Sequence, residues 1–218
     1  PQIQEAKLFF KGETLLTAKA TLSIINEKIG NPKGKIDKGQ FTYETYFDDG
    51  ESGVESDGNY IYTCKWLNDV FAYYDLDGNF IDSFYIPGAE RVRDMAYCET
   101  DGYFYGAQPL GDSGRIYKMD FSSRTLIDVI SLNESVRSLA YDPDLDIFYG
   151  NNWSGDVLLI NRQTGSIQDH IPLTGSYGDY YGFAYDKCSD GGPYVWGFSQ
   201  AGSGAEIVQL LLPDSDQA

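Results

Sequence analysis

Few residues in this chain could do acid–base or metal chemistry, and their types narrow the choice. There is one histidine, His170, and there are three cysteines, Cys64, Cys98 and Cys188. Structural zinc takes four Cys/His ligands and catalytic zinc usually two or three histidines, so the counts remove most zinc sites. A serine or cysteine triad would need His170 as its base. That residue lies in the alternating stretch Ser166-Ile167-Gln168-Asp169-His170-Ile171, and no nucleophile elbow occurs anywhere. His170 reads as a strand-edge residue, and the cysteines, without C-x-x-C spacing, as free and mostly buried thiols. Two acidic runs, Asp75-Leu76-Asp77-Gly78-Asn79 and Asp142-Pro143-Asp144-Leu145-Asp146, alternate oxygen ligands as calcium loops do. Neither has Gly at the sixth position or Glu at the twelfth, and both read as ordinary Asp-Gly and Asp-Pro turns. No catalytic residue, metal or cofactor is expected.

What remains is a set of indoles, guanidiniums and amides: Trp66, Arg93, Gln108, Arg137, Asn151, Asn152, Trp153 and Gln200. Aromatic faces beside such groups combine stacking with directional hydrogen bonds, the chemistry that recognises a sugar or a peptide. The bland reading is that Trp66 and Trp153 wedge between structural units while the arginines neutralise an acidic rim. An enzyme, a lyase or a metal-dependent lactonase-type hydrolase, is the alternative function. Asn68, Asn151 and Asp112 are its conceivable oxygen ligands, but the pattern sets no matched acid and base beside them.

These side chains can act together only if the fold gathers them, and an internal repeat supplies the means. Met95-Ala96-Tyr97, Leu139-Ala140-Tyr141 and Phe183-Ala184-Tyr185 recur at a spacing of 44 residues, as do Phe104-Tyr105-Gly106 and Phe148-Tyr149-Gly150. Val195-Trp196-Gly197 continues the second series with a displacement of three, and Asp57-Gly58 precedes Asp101-Gly102 by 44. Within one unit, Arg93–Cys98, Tyr103–Ala107, Arg115–Asp120 and Thr125–Ser131 read as strands, with a turn at 99–102 and a loop at 108–114. Four short strands in about 44 residues are a β-propeller blade. The expected fold is an all-β propeller of four-stranded antiparallel blades.

Blades are expected near 53–90, 91–133, 134–175 and 176–212, the last ending after its third strand. Five blades would use about 220 residues, close to the 218 available. Four blades, or part of a larger ring, are the alternatives. Residues 1–50 then complete the ring or form a divergent blade, 51–212 form the blades and 213–218 a tail. In a blade, the loops between second and third strands and the links between blades emerge on one face, which would collect the indoles, amides and arginines.

Charge points away from some partners. The chain carries 33 acidic and 16 basic residues, a net charge of −17. Residues 1–40 are the exception at +3, leaving −20 on the remainder. A body this negative repels phosphate backbones, so nucleic acid is not an expected partner. No apolar run approaches the ~20 residues of a membrane helix, so the chain is not expected to span a membrane.

The segments Arg91-Val92-Arg93-Asp94-Met95-Ala96-Tyr97, Arg115-Ile116-Tyr117-Lys118-Met119-Asp120, Val136-Arg137-Ser138-Leu139-Ala140-Tyr141-Asp142-Pro143-Asp144 and Gly191-Gly192-Pro193-Tyr194-Val195-Trp196-Gly197-Phe198-Ser199-Gln200 resemble propeller repeats of secreted, surface-displayed bacterial proteins. Such repeats often stand beside adhesin-like modules and surface-sorting signals. The resemblance covers about 53–210 and brings no catalytic residues with it. It implies an extracellular or cell-surface binding and adhesion module, with an unknown glycan, protein or peptide as partner.

Overall fold

Short runs of aromatic and β-branched residues, separated by Asp-Gly and related turns, pair as antiparallel ribbons. The structure, a computed structural model, describes residues 51–66, 68–153, 155–173, 178–200 and 206–212. The expectations for residues 1–50 and for the tail lie outside them. The first blade is β1 (Glu51–Ser56), β2 (Ile61–Lys65), β3 (Val70–Tyr74) and β4 (Phe80–Tyr85). The second is β5 (Asp94–Cys98), β6 (Tyr103–Leu110), β7 (Ser113–Asp120) and β8 (Thr125–Leu132). The third is β9 (Ser138–Asp142), β10 (Ile147–Asn151), β11 (Val157–Asn161) and β12 (Ile167–Ile171). The fourth is β13 (Tyr180–Asp186), β14 (Tyr194–Ser199) and β15 (Glu206–Leu211). Each blade is a separate antiparallel sheet with its strands in sequence order, and together they form a β-propeller with four blades among the described residues.

One expected loop is instead sheet. β6 and β7 pair through Gln108↔Arg115, Pro109↔Gly114 and Leu110↔Ser113, leaving only Gly111 and Asp112 at the turn. Gly111 has φ +77°, the left-handed first position that suits a tight hairpin to the twist of its strands. Pairing therefore continues to the tip.

The repeated triplets explain how blades stack. Phe104 and Phe148 are buried, and a Cβ at Gly106 or Gly150 would sit 2.8 Å from the Val92 or Ile160 side chain respectively. Only glycine admits so close a neighbour. Apolar clusters fill the seams between first and second, second and third, and third and fourth blades. Ala96 and Ala140 each lie in the seam ahead of their own blade. Ala184, in the same repeat position, is exposed, because no blade packs its cluster onto that side of β13 among the described residues.

The inner strands meet at one side chain. Asp94 is 3% exposed, and its carboxylate accepts the backbone N–H of Leu139 at 2.8 Å and of Phe183 at 2.9 Å. Its own neighbour Met95 supplies a third amide. Met95, Leu139 and Phe183 open the three recurring triplets, so one carboxylate takes the equivalent amide from three successive blades. Glu55 joins the remaining pair of neighbours by accepting the Tyr97 N–H at 3.1 Å, tying β1 to β5. Burial pushes both carboxyls above their ordinary range, Glu55 to about 7, despite the amides that favour their charged forms.

Asp94→Ala should lower unfolding free energy by about 3 kcal/mol or more, since it strands several buried amides at ~1–3 kcal/mol each. Asp94→Asn, which keeps an acceptor in place, should cost clearly less in the same denaturant titration. Equal losses would remove Asp94 from its bridging role. Glu55 binds its proton more tightly folded than unfolded. Its contribution is therefore complete below pH 4.5 and lost as pH rises through about 7. Melting temperature should accordingly fall as pH rises from 4.5 to about 7, and the fall should shrink in Glu55→Gln.

Candidate ligand site at the channel mouth

Residues 93, 137 and 181 stand one repeat apart, immediately before or within the first turn of inner strands β5, β9 and β13, and are Arg, Arg and Tyr. The backbone fixes the two arginines identically: Arg93 N–H donates to Ala107 O at 2.9 Å and Arg137 N–H to Asn151 O at 2.8 Å. Both guanidiniums then enter an aromatic cluster. The Arg93 guanidinium carbon lies 4.1 Å from the Trp66 ring centre. That of Arg137 lies 4.2 Å from Trp153, 5.0 Å from Trp66 and 5.8 Å from Tyr181. Tyr181 meets Trp153 edge-on at 4.9 Å and Trp66 at 5.8 Å. Such cation–π contacts contribute roughly 0.5–2 kcal/mol and favour keeping the charges in place.

A depression of about 240 Å³ opens beside this cluster, lined by Arg91, Arg93, Ser135, Arg137, Asn152 and Trp153 among others. Arg91 and Ser135 are again one repeat apart, so the depression is built from matching parts of two successive blade links. Arg93 Nη1 donates to Trp66 O, but several other polar atoms of its walls lack partners. Arg137 is 9% exposed, yet its Nε and Nη1 make no hydrogen bond, and neither do Arg93 Nε, Ser135 Oγ or Asn152 Oδ1. Among the described residues no carboxylate forms an ion pair with Arg91, Arg93 or Arg137. Burial lowers the guanidinium pKa of Arg93 and of Arg137, and a neighbouring arginine lowers each further. The groups stay charged, so the depression is a concentrated positive spot on an acidic body.

Arg162 shows what a structural arginine looks like in the same protein. Its side chain is equally buried, but Nε donates to Asp146 Oδ1 at 2.5 Å, and Nη1 donates to Asp101 Oδ2 at 2.8 Å and to Tyr105 Oη at 2.9 Å. That arginine clamps the second blade to the third.

The structure sorts the expected site residues. Arg93, Arg137, Asn152 and Trp153 gather at the depression, with Trp66 stacked behind them. Gln108 lies buried inside β6, where its Oε1 accepts the Tyr117 hydroxyl at 2.6 Å. Asn151 is buried in β10 and its Nδ2 donates to the carbonyls of Gly155 and Asp156. Gln200 is exposed, and its N–H donates to Asp179 O. Trp153 is both wall and wedge: half-buried, with φ 62°, it bridges to Tyr180 across the third and fourth blades. Ser135 was not anticipated; Arg91 and Tyr181 are expected on this face only as residues of the blade links, and the 44-residue phase shared with Arg93 and Arg137 marks Tyr181.

Other candidate chemistry is occupied locally. Asp75 accepts the N–H groups of Asp77 and Asn79, and Asp142 those of Asp144 and Leu145, each closing its own turn. Asn68 Oδ1 accepts the Val70 N–H, and Asp112 is exposed at the hairpin tip. Among the described residues no three His, Cys, Asp or Glu side chains gather as a metal site. His170 lies on outer strand β12 with Nε2 3.1 Å from Glu134 Oε1, Cys64 and Cys98 are buried free thiols, and Cys188 is an exposed one.

No protein-family model matches the chain, and neither does any curated protein. Solved structures do resemble it. A Myxococcus xanthus glutaminyl cyclase superposes with a TM-score of 0.55 at 15% identity, covering 75% of this chain and 74% of its own. A protein of unknown function from Bacteroides thetaiotaomicron gives 0.49 at 15% identity, covering 86% of this chain and 48% of its own. At such identity the likeness to the cyclase is one of fold alone.

A guanidinium buried with two nitrogens unbonded carries a desolvation cost that its aromatic contacts offset only in part. Arg137→Met should leave the melting temperature unchanged or higher, whereas Arg162→Met should lose about 3 kcal/mol by breaking a buried pair. Comparable losses in chemical denaturation would make Arg137 a structural residue.

Proposed function

We propose that this is a non-catalytic binding propeller whose ligand seat is the Arg93–Arg137–Trp153 depression at the channel mouth. The observation that carries the reading is the set of unpaired donors and acceptors there: Arg93 Nε, Arg137 Nε and Nη1, Ser135 Oγ and Asn152 Oδ1. Buried polar groups are ordinarily satisfied, so a cluster of unsatisfied ones enclosed in the walls of a depression marks a place where a ligand, with a small shift of those walls, would complete the bonding. The Trp153 indole in its wall provides stacking area for a ring, which suits a glycan or a peptide. The repeat resemblance supports an extracellular, surface-displayed adhesion role.

A glycan and peptide array should yield a ligand, and Trp153→Ala should weaken that ligand by about 2 kcal/mol or more. The same variant should be measured for melting temperature. If stability falls while the surviving folded protein binds as before, Trp153 is only an interblade wedge and the seat lies elsewhere. If the array yields nothing, the binding reading fails.

A further inference from the structure

We infer that the outer edge of β15 is the docking edge for residues 38–44 of the same chain, which pair there as the fourth strand of the last blade and tie that blade to the first. The axis argues against a separate fifth blade. Asp94 accepts the amides of Leu139 and Phe183, and a Cβ at Gly53 would lie 2.8 Å from its Cα, so β1, β5, β9 and β13 all stand against one residue. β1 and β13 also approach each other directly, which leaves no position for a further inner strand between them.

What is incomplete is the last blade. β3, β7 and β11 each pair with a strand on both sides, whereas among the described residues their counterpart β15 pairs with β14 alone. Leu212 N–H donates to Pro193 O, so by alternation the amides of Ile207, Gln209 and Leu211 turn away from β14. Such a row of outward amides and carbonyls is a template for another strand. The seam between the fourth and first blades lacks two things as well. Each other seam has an apolar cluster across it and a chain link from the outer strand of one blade to the inner strand of the next. Among the described residues this seam has neither.

The spacing of the chain names the occupant. Each outer strand begins 14, 13 or 13 residues before the next inner strand (80 to 94, 125 to 138, 167 to 180). Counting back the same distance from Glu51 reaches Asp37 and Lys38. There Gln40-Phe41-Thr42-Tyr43-Glu44 alternates aromatic with polar residues, the period of a strand with one packed face. Residues 45–50 then form a link of six, within the five to eight of the links 133–137, 86–93 and 172–179. Links of that length join neighbouring blades elsewhere in the ring, so the segment reaches the β15 of its own chain.

Residue-resolved hydrogen exchange on the full chain tests this. The Ile207, Gln209 and Leu211 amides should exchange at least about 100-fold more slowly than in an unstructured peptide of the same sequence, in a protein that light scattering shows to be monomeric. Thr42→Pro and Tyr43→Pro remove amides that point opposite ways in a strand, so one of them should speed exchange at those three positions about tenfold or more. Thr14→Pro, outside the segment, should leave them unchanged. Fast exchange of the three amides in the unaltered protein would overturn the inference, and that measurement needs no variant to fold. Protection that neither Thr42→Pro nor Tyr43→Pro disturbs, or that Thr14→Pro removes, assigns the edge to another segment and also overturns it. Protection found only in a dimer and lost on dilution places the strand in a second copy, which overturns pairing within one chain.

Discussion

Everything at the centre of this propeller depends on a single buried carboxylate accepting amides from three blades. A propeller's blades share no backbone ladder, so side-chain packing alone would leave their inner strands free to slide. Asp94 fixes β5, β9 and β13 to one point through hydrogen bonds of 2.8 and 2.9 Å and its own neighbour's amide. Glu55 extends the same device to β1. Keeping two acids in a low-dielectric channel is costly, and the costs appear as carboxyls that hold their protons to higher pH. In return, the starts of the inner strands, which carry the proposed ligand seat, are held in fixed mutual positions.

The treatment of positive charge follows the opposite logic at two places in one seam. Between the second and third blades, Arg162 is fully engaged with Asp101, Asp146 and Tyr105 and contributes cohesion. Near the axis, Arg137 belongs to the same blade and is equally buried, yet only aromatic faces surround it. Indoles hold a guanidinium without consuming its N–H donors. That is how a cation can be positioned firmly while two of its nitrogens stay without hydrogen bonds.

What the sequence made legible is what the repeat preserves. The recurring Ala and Phe-Tyr-Gly positions mark inner strands and interblade contacts because every blade solves the same packing problem with the same residues. Arg93 and Arg137 were visible as a channel-mouth pair for that reason. Asp94 was not, because it is a departure: the equivalent positions are Ser138 and Gly182. Its importance comes from long-range hydrogen bonds, which no local pattern encodes. Gln108 was misplaced because a two-residue hairpin extended the sheet where polar composition suggested a loop. Ser135 escaped notice since its repeat phase holds an unlike residue, Arg91.

The lone axial acid also bears on how such a chain can have been assembled from copies of one ancestral unit. A Cβ at Gly182 would lie 3.6 Å from the Asp94 carboxylate oxygens, and one at Gly53 would lie 2.8 Å from the Asp94 Cα. A second aspartate in the Gly182 position would therefore stand directly against the first. Duplicating the second blade in place of the fourth would bring two acids into contact, while replacing the second by the third would leave the amides without an acceptor. Blades that look alike in sequence have become distinct parts with an assigned order, and further growth by copying must first erase or relocate that acid.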